Sequence, residues 1–254
     1  MAMKSKLLLL LLLASAFGRC EDQNRNYIVA GVGYGTLPQI ADGGCWKTTI
    51  TLVNLDTAAS SWKVEFLGDN GNPKEFDLAG RGRATVFTGV LANGGSTTLE
   101  TLGGCGALNQ GWARVSSPSY NDVGAMVIFG TSGIPGRLDF EASVPGSRSW
   151  DGDVMIPFDN ANGFVTSLAF LNTSTYSDAV LNIQILDESG LPLAIAEVLT
   201  LKPLTKVAFA STDRWAVSRG RRGTIFITES GNVSNLALRF NPGGAFTTVF
   251  PMSR

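Results

Sequence analysis

The feature that most constrains this chain is a segment that occurs twice. Trp46-Lys-Thr-Thr-Ile-Thr-Leu-Val-Asn54 matches Phe164-Val-Thr-Ser-Leu-Ala-Phe-Leu-Asn172 position for position. In a β-strand alternate side chains point to opposite faces, so Trp46, Thr48, Ile50 and Leu52 share one face. Phe164, Thr166, Leu168 and Phe170 share the matching face. A chain that repeats such a segment is expected to repeat the supersecondary unit around it.

The correspondence extends beyond that segment. Trp62, Val64 and Phe66 alternate with Lys63 and Glu65, as Leu181, Ile183 and Ile185 alternate with Asn182 and Gln184. Each run then meets a polar turn, Gly68-Asp-Asn-Gly-Asn-Pro73 or Asp187-Glu-Ser-Gly-Leu-Pro192. Period-two alternation closed by turn formers marks a half-buried strand entering a hairpin. Gly111-Trp-Ala-Arg-Val115 matches Gly223-Thr-Ile-Phe-Ile227, and Val123, Met126 and Ile128 match Val233, Leu236 and Leu238. Phe140 and Pro145 match Phe246 and Pro251. Matches that recur in one order predict two copies of a single module.

Seven to eight short strands per copy, separated by Gly, Asn, Asp and Pro turns, predict an all-β fold. The expected architecture is two tandem antiparallel β-sandwich modules of immunoglobulin-like type, because each sheet must bury one face against another. The expected boundaries are 27–145 for the first module, 146–154 for a linker rich in turn formers and charge, and 155–254 for the second. Tyr27 to Gly35 reads as a leading strand. One helical candidate exists, Thr212-Asp-Arg-Trp-Ala-Val-Ser218.

The N-terminus reads as an export signal over residues 1–16. Lys4 and Lys6 precede an unbroken run from Leu7 to Leu13, and Ala14-Ser-Ala16 supplies a small-x-small cleavage site. That run is too short to span a bilayer, which takes about 20 residues. Cys20 follows Arg19, a bulky charged residue where a lipoprotein signal places a small one. No later segment has membrane-spanning length without charges or glycines. The expected address is therefore secreted or cell-surface, with no span in the mature chain. A formal net charge of -1 gives no electrostatic reason to expect nucleic acid as a partner.

The strings Gln39 to Asp56, Gly68-Asp-Asn-Gly71, Gly111-Trp-Ala-Arg114, Met155-Ile-Pro-Phe-Asp159 and Arg239-Phe-Asn-Pro-Gly-Gly-Ala-Phe246 resemble repeats in exported proteins of environmental bacteria such as acidobacteria. The resemblance covers nearly the whole mature chain and implies secretion and an immunoglobulin-like fold. It carries over no activity and no catalytic residue. Those repeats usually hold Gly where this chain has Cys45 and Cys105, so the pair is a departure. Outside the cytosol the two thiols are expected to form a structural disulfide, which would contribute about 3–4 kcal/mol by closing the intervening loop.

Chemistry is sparse. The chain holds no histidine, which removes Ser-His-Asp and Cys-His catalysis and His-ligated zinc together. Asp139 and Glu141, two apart on an expected strand, are the only pair nominated for carboxylate chemistry, and a solvated strand face is the simpler reading. Asp69-Asn-Gly-Asn72 lacks the spacing of a calcium loop and reads as a hairpin turn. Gly31-Val-Gly-Tyr-Gly35 lacks the spacing of a nucleotide loop. No metal site and no cofactor are expected.

The candidates for binding are Trp112, whose counterpart is Thr224, and Trp150 in the linker. A basic cluster adds Arg219, Arg221 and Arg222, with Arg214 beside them. These residue types suit contact with polysaccharide or with other surface proteins. The expected function is a non-catalytic exported protein with a structural, adhesive or scaffold role at the cell surface. A carbohydrate-binding module is the alternative, ahead of a carboxylate-dependent glycoside hydrolase.

Overall fold

The computed structural model describes residues 34–118, 122–145 and 150–253. The expected export signal, Cys20 and most of the expected leading strand lie outside the described residues, as do residues 146–149 of the expected linker. The first half contains β1 (Tyr34–Asp42), β2 (Trp46–Asn54), β3 (Ser60–Leu67), β4 (Phe76–Leu78), β5 (Gly82–Ala84), β6 (Val86–Leu91), β7 (Ser96–Glu100), β8 (Asn109–Ser116), β9 (Val123–Thr131) and β10 (Phe140–Pro145). The second contains β11 (Trp150–Asp159), β12 (Val165–Asn172), β13 (Ala179–Asp187), β14 (Glu197–Leu201), β15 (Lys206–Ala210), β16 (Arg222–Phe240), β17 (Phe246–Val249) and β18 (Met252–Ser253). The helical candidate forms one short turn, α1 (Ser211–Arg214), followed by a 3-10 turn at Ala216–Ser218.

The chain is all-β with several antiparallel sheets. Alternation decides which faces are buried. In β3, Trp62, Val64 and Phe66 are buried while Lys63 and Glu65 are half-buried. Each large apolar side chain removed from water in this way contributes about 1.5–3 kcal/mol.

In the first half one sheet runs β1-β8-β3-β6 and another β10-β9-β2-β7. Leu37, Val64, Phe66 and Val115 from one sheet and Ile50, Leu52, Val127 and Phe129 from the other belong to one buried cluster. In the second half β16 serves two sets of partners. Its Gly223–Ser230 stretch pairs with β13, with β11 on its other edge. Its Val233–Phe240 stretch pairs with β12, and its last four residues with β17. Gly231, at φ 114, sits between the two stretches in a conformation that L side chains rarely adopt. Read through β16, the pairings run β11-β16-β13-β14 and β17-β16-β12-β15, an order parallel to that of the first half.

The two halves also hold like side-chain bonds. Thr48 Oγ1 donates to Ala41 O and accepts from Ala41 N–H. Thr166 Oγ1 does both with Asp159. Asn54 donates to Ala58 O and Leu91 O and accepts from Asp56 N–H. Asn172 donates to Ser177 O and Leu201 O and accepts from Ser174 N–H. The match at the chain's end is one residue off. Ile128 faces Ser143 and Leu238 faces Thr248, so Ser143 and Thr248 occupy like places, whereas matching Phe140 to Phe246 pairs Ser143 with Val249.

Trp150 and Asp151 to Val154, read from the sequence as linker, are instead the opening of β11, paired with β16 and β18. The halves also share apolar contacts. Ala169, Leu236, Leu238 and Phe246 of the second half belong to the first half's cluster. Trp46 packs its ring 5.2 Å from Phe246 and 6.2 Å from Phe240. Thr36 donates to Ser234 across the same boundary, 2.9 Å away.

Candidate functional site

Where the halves meet, residues distant in sequence converge on one ammonium group. Lys206 opens β15 opposite Leu171 of β12, and its side chain is wholly buried. Nζ donates to Gln39 Oε1 and to Gly111 O, the latter at 3.0 Å, and lies 3.0 Å from Asp69 Oδ1. The ammonium thus has two hydrogen-bond acceptors and one ion-pair partner, all from the first half.

Local sequence explains each partner's position. The register of β1 against β8 shifts between Leu37 and Ile40, which leaves Pro38 and Gln39 out of the ladder. Pro38 has no N–H to give a ladder, so the shift falls where pairing would fail anyway. Gly111 passes so close to Leu67 that a Cβ would lie 2.2 Å from its carbonyl oxygen. Asp69 belongs to the turn after β3, and its carbonyl accepts the Lys206 backbone N–H at 2.8 Å. Leu67, Trp112 and Leu171, with Leu204, form a small apolar cluster around this seam.

Burial holds the Lys206 ammonium below its usual range. The nearby Asp69 carboxylate opposes that effect, and Lys74 adds to it. Asp69 Oδ2 accepts from Gln110 Nε2 at 3.2 Å, and Lys74 Nζ donates to Gln110 O at 2.7 Å. A polar chain Gln39–Lys206–Asp69–Gln110 results.

Both glutamines also line a cavity of about 260 Å³ between the halves. Trp46 and Leu108 line it from the first half; Ser167, Ala208, Phe209 and Phe240 line it from the second. The walls are thus mainly apolar and the polar groups are few. Sequence reading missed this site because each member has an ordinary role where it stands, such as turn, strand start or bulge.

The residues that the sequence nominated lie elsewhere. Trp112 does not reach the surface: its side chain is wholly buried in the seam. Its counterpart Thr224 said nothing of this, because the contact is with the other half. Trp150 begins β11, and its side chain lies outside the described residues. Arg219, Arg221 and Arg222 are exposed, but Arg222 is paired with Asp159 at 3.1 Å and Arg219 donates to Thr212 O. Arg214 is held by Glu197, which also accepts from Trp215 Nε1 at 2.7 Å. The Arg214 hydrogen bond, helped by Trp215 and opposed by burial, keeps the Glu197 carboxyl below the usual range.

Asp139 precedes β10 and Glu141 lies in it; both are exposed and neither lines the cavity. Asp139 accepts from Gly133 N–H. Cys45 and Cys105 are joined in a disulfide. Cys45 has φ 69 in the turn before β2, and Gly163, its counterpart before β12, has φ 79.

Comparison with models of protein families, with curated proteins and with solved structures found no match.

Proposed function

We propose that this chain is an exported, internally duplicated β-sandwich protein with a non-catalytic structural, adhesive or scaffold role at the cell surface. The parallel strand orders and the like bonding of Thr48 and Thr166, and of Asn54 and Asn172, support the duplication. The Cys45–Cys105 disulfide is weakly compatible with an extracytoplasmic address. The resemblance to exported bacterial repeats points the same way.

The observation that carries the structural role is the seam. A buried lysine with three partners from the other half joins the two modules as one body, which suits a spacer or scaffold that transmits load. Cell fractionation with N-terminal sequencing tests the address. The mature protein is expected outside the cytoplasm, beginning near residue 17, and a full-length cytoplasmic product would refute export. A deletion strain is expected to lose surface attachment or envelope integrity while keeping growth on soluble nutrients. A deletion that instead abolishes use of one substrate would speak for an enzyme.

A further inference from the structure

We propose that the cavity at the seam is a binding site for a small, mainly apolar ring compound bearing one primary amide or hydroxyl group. The proposal goes beyond the structural role and does not depend on it.

The argument begins with the two glutamines. A side-chain amide has a donor end and an acceptor end, and ordinarily either can face a ligand. Here the charges behind them fix the choice. Gln39 turns Oε1 to the Lys206 ammonium, because turning its NH₂ there would set donor against donor. Among the described residues its Nε2 then retains only a long 3.4 Å contact with Ile40 O. Gln110 turns Nε2 to the Asp69 carboxylate, which leaves Oε1 as an acceptor with no bond among the described residues. The ion pair thus presets one donor and one acceptor on two residues that both line the cavity.

The rest of the lining sets the body of the ligand. Trp46, Leu108, Phe209 and Phe240 offer apolar and aromatic surface from both halves. A volume of about 260 Å³ is near the small end for ligand sites, which suits a single substituted ring. A primary amide satisfies both poles, its oxygen accepting from Gln39 and its nitrogen donating to Gln110; a hydroxyl does the same with one atom. A polyhydroxylated sugar fits poorly, because most of its hydroxyls would lose water against apolar walls without a partner.

Saturation-transfer NMR on the full mature chain tests this with benzamide, benzyl alcohol, toluene and methyl glucoside as probes. Benzamide and benzyl alcohol are expected to bind at least tenfold more tightly than toluene, with methyl glucoside weaker still. Leu108→Trp and Ala208→Trp fill the cavity from exposed positions, so both are expected to fold with an unchanged Tm. Each should weaken benzamide binding at least tenfold. If neither polar probe binds, if binding survives both fillings, or if methyl glucoside binds best, the proposal is wrong. None of these outcomes bears on export or on attachment.

Discussion

Lys206 Nζ lies 3.0 Å from Asp69 Oδ1, with the lysine side chain wholly buried and that of the aspartate 37% exposed. The pair is therefore asymmetric: Asp69 keeps an exposed edge and the Gln110 bond to its Oδ2, although its Oδ1 is buried, whereas among the described residues no other carboxylate meets the Lys206 ammonium. Asp69→Asn, which strands a buried ammonium, is expected to destabilise the fold by about 3 kcal/mol. Lys206→Met leaves a partly exposed carboxylate that keeps the Gln110 bond to Oδ2 and is expected to cost less, about 1–2 kcal/mol. The folded-state pKa of Lys206 lies below its ordinary 10.5, so between the two values the unfolded chain holds more protons and stability rises with pH. Denaturant unfolding at pH 7 and pH 10 should accordingly show the Asp69→Asn deficit shrinking at the higher pH.

Gly111 and Gly223 predict a matched pair of losses. A Cβ on Gly111 would lie 2.2 Å from Leu67 O, and one on Gly223 would lie 2.0 Å from Leu186 O. Backbone must move in both cases, so Gly111→Ala and Gly223→Ala are each expected to cost about 2–3 kcal/mol. Gly106→Ala, where a Cβ meets nothing within 4 Å, is the control and should be near neutral. Similar losses at both positions and none at the control, read as shifts in Tm, would support like roles for the two glycines.

The disulfide predicts an inequality. Losing a bond that closes a loop of 60 residues costs up to about 4 kcal/mol through the unfolded state. Cys45 also occupies a left-handed conformation, at φ 69, that disfavours any residue but glycine by about 1 kcal/mol. Both Cys105→Ser and Cys45→Gly remove the bond, but only the second relieves that conformation. Cys45→Gly is expected to melt higher than Cys105→Ser, and reductant should lower the wild-type Tm toward that of Cys105→Ser.

Trp112 predicts loss of stability rather than loss of a ligand. Its ring is wholly buried, and among the described residues its Nε1 has no hydrogen-bond partner. Trp112→Ala is expected to cost about 3–5 kcal/mol by opening a cavity. Trp112→Phe removes an unsatisfied donor along with some volume, and the two effects should nearly offset, leaving less than about 1.5 kcal/mol. Thermal unfolding of the two variants separates the cases.

The strands were legible because their signal is local. Alternation such as Trp62, Val64, Phe66 against Lys63 and Glu65 is imposed by the pleat and needs no knowledge of the partner strand. The seam was not legible, because Gln39, Asp69, Gly111 and Lys206 meet only after the halves have docked. Lys206 at the start of a strand reads as a solvated lysine, and Asp69 beside Asn-Gly reads as a turn residue. Comparing the two matched segments misled at Trp112 for the same reason. A large apolar residue opposite Thr224 suggested exposed surface, whereas it marks the place where one half contacts the other.

Asp159 sets the behaviour in acid. Burial pushes its carboxyl upward, but the hydrogen bond from Arg239, the Ala161 N–H and the charges of Arg239 and Arg222 outweigh that, so it titrates below its ordinary 3.8. Arg239 is itself held in place, stacked 3.6 Å over the Phe164 ring. A carboxylate depressed in the folded state contributes stability that is fully present above its unfolded pKa and is lost as pH falls through the folded one. The wild type is therefore expected to keep this contribution at neutral pH and to lose it progressively below about pH 4. In Asp159→Asn the contribution is absent throughout. Tm measured from pH 6 to pH 2 should show the two proteins furthest apart at the high end and converging toward the low end. Glu197, held down by Arg214, should show the same convergence in Glu197→Gln. Curves that stay parallel across the range would mean that neither carboxylate is bound more tightly in the folded state than in the unfolded one.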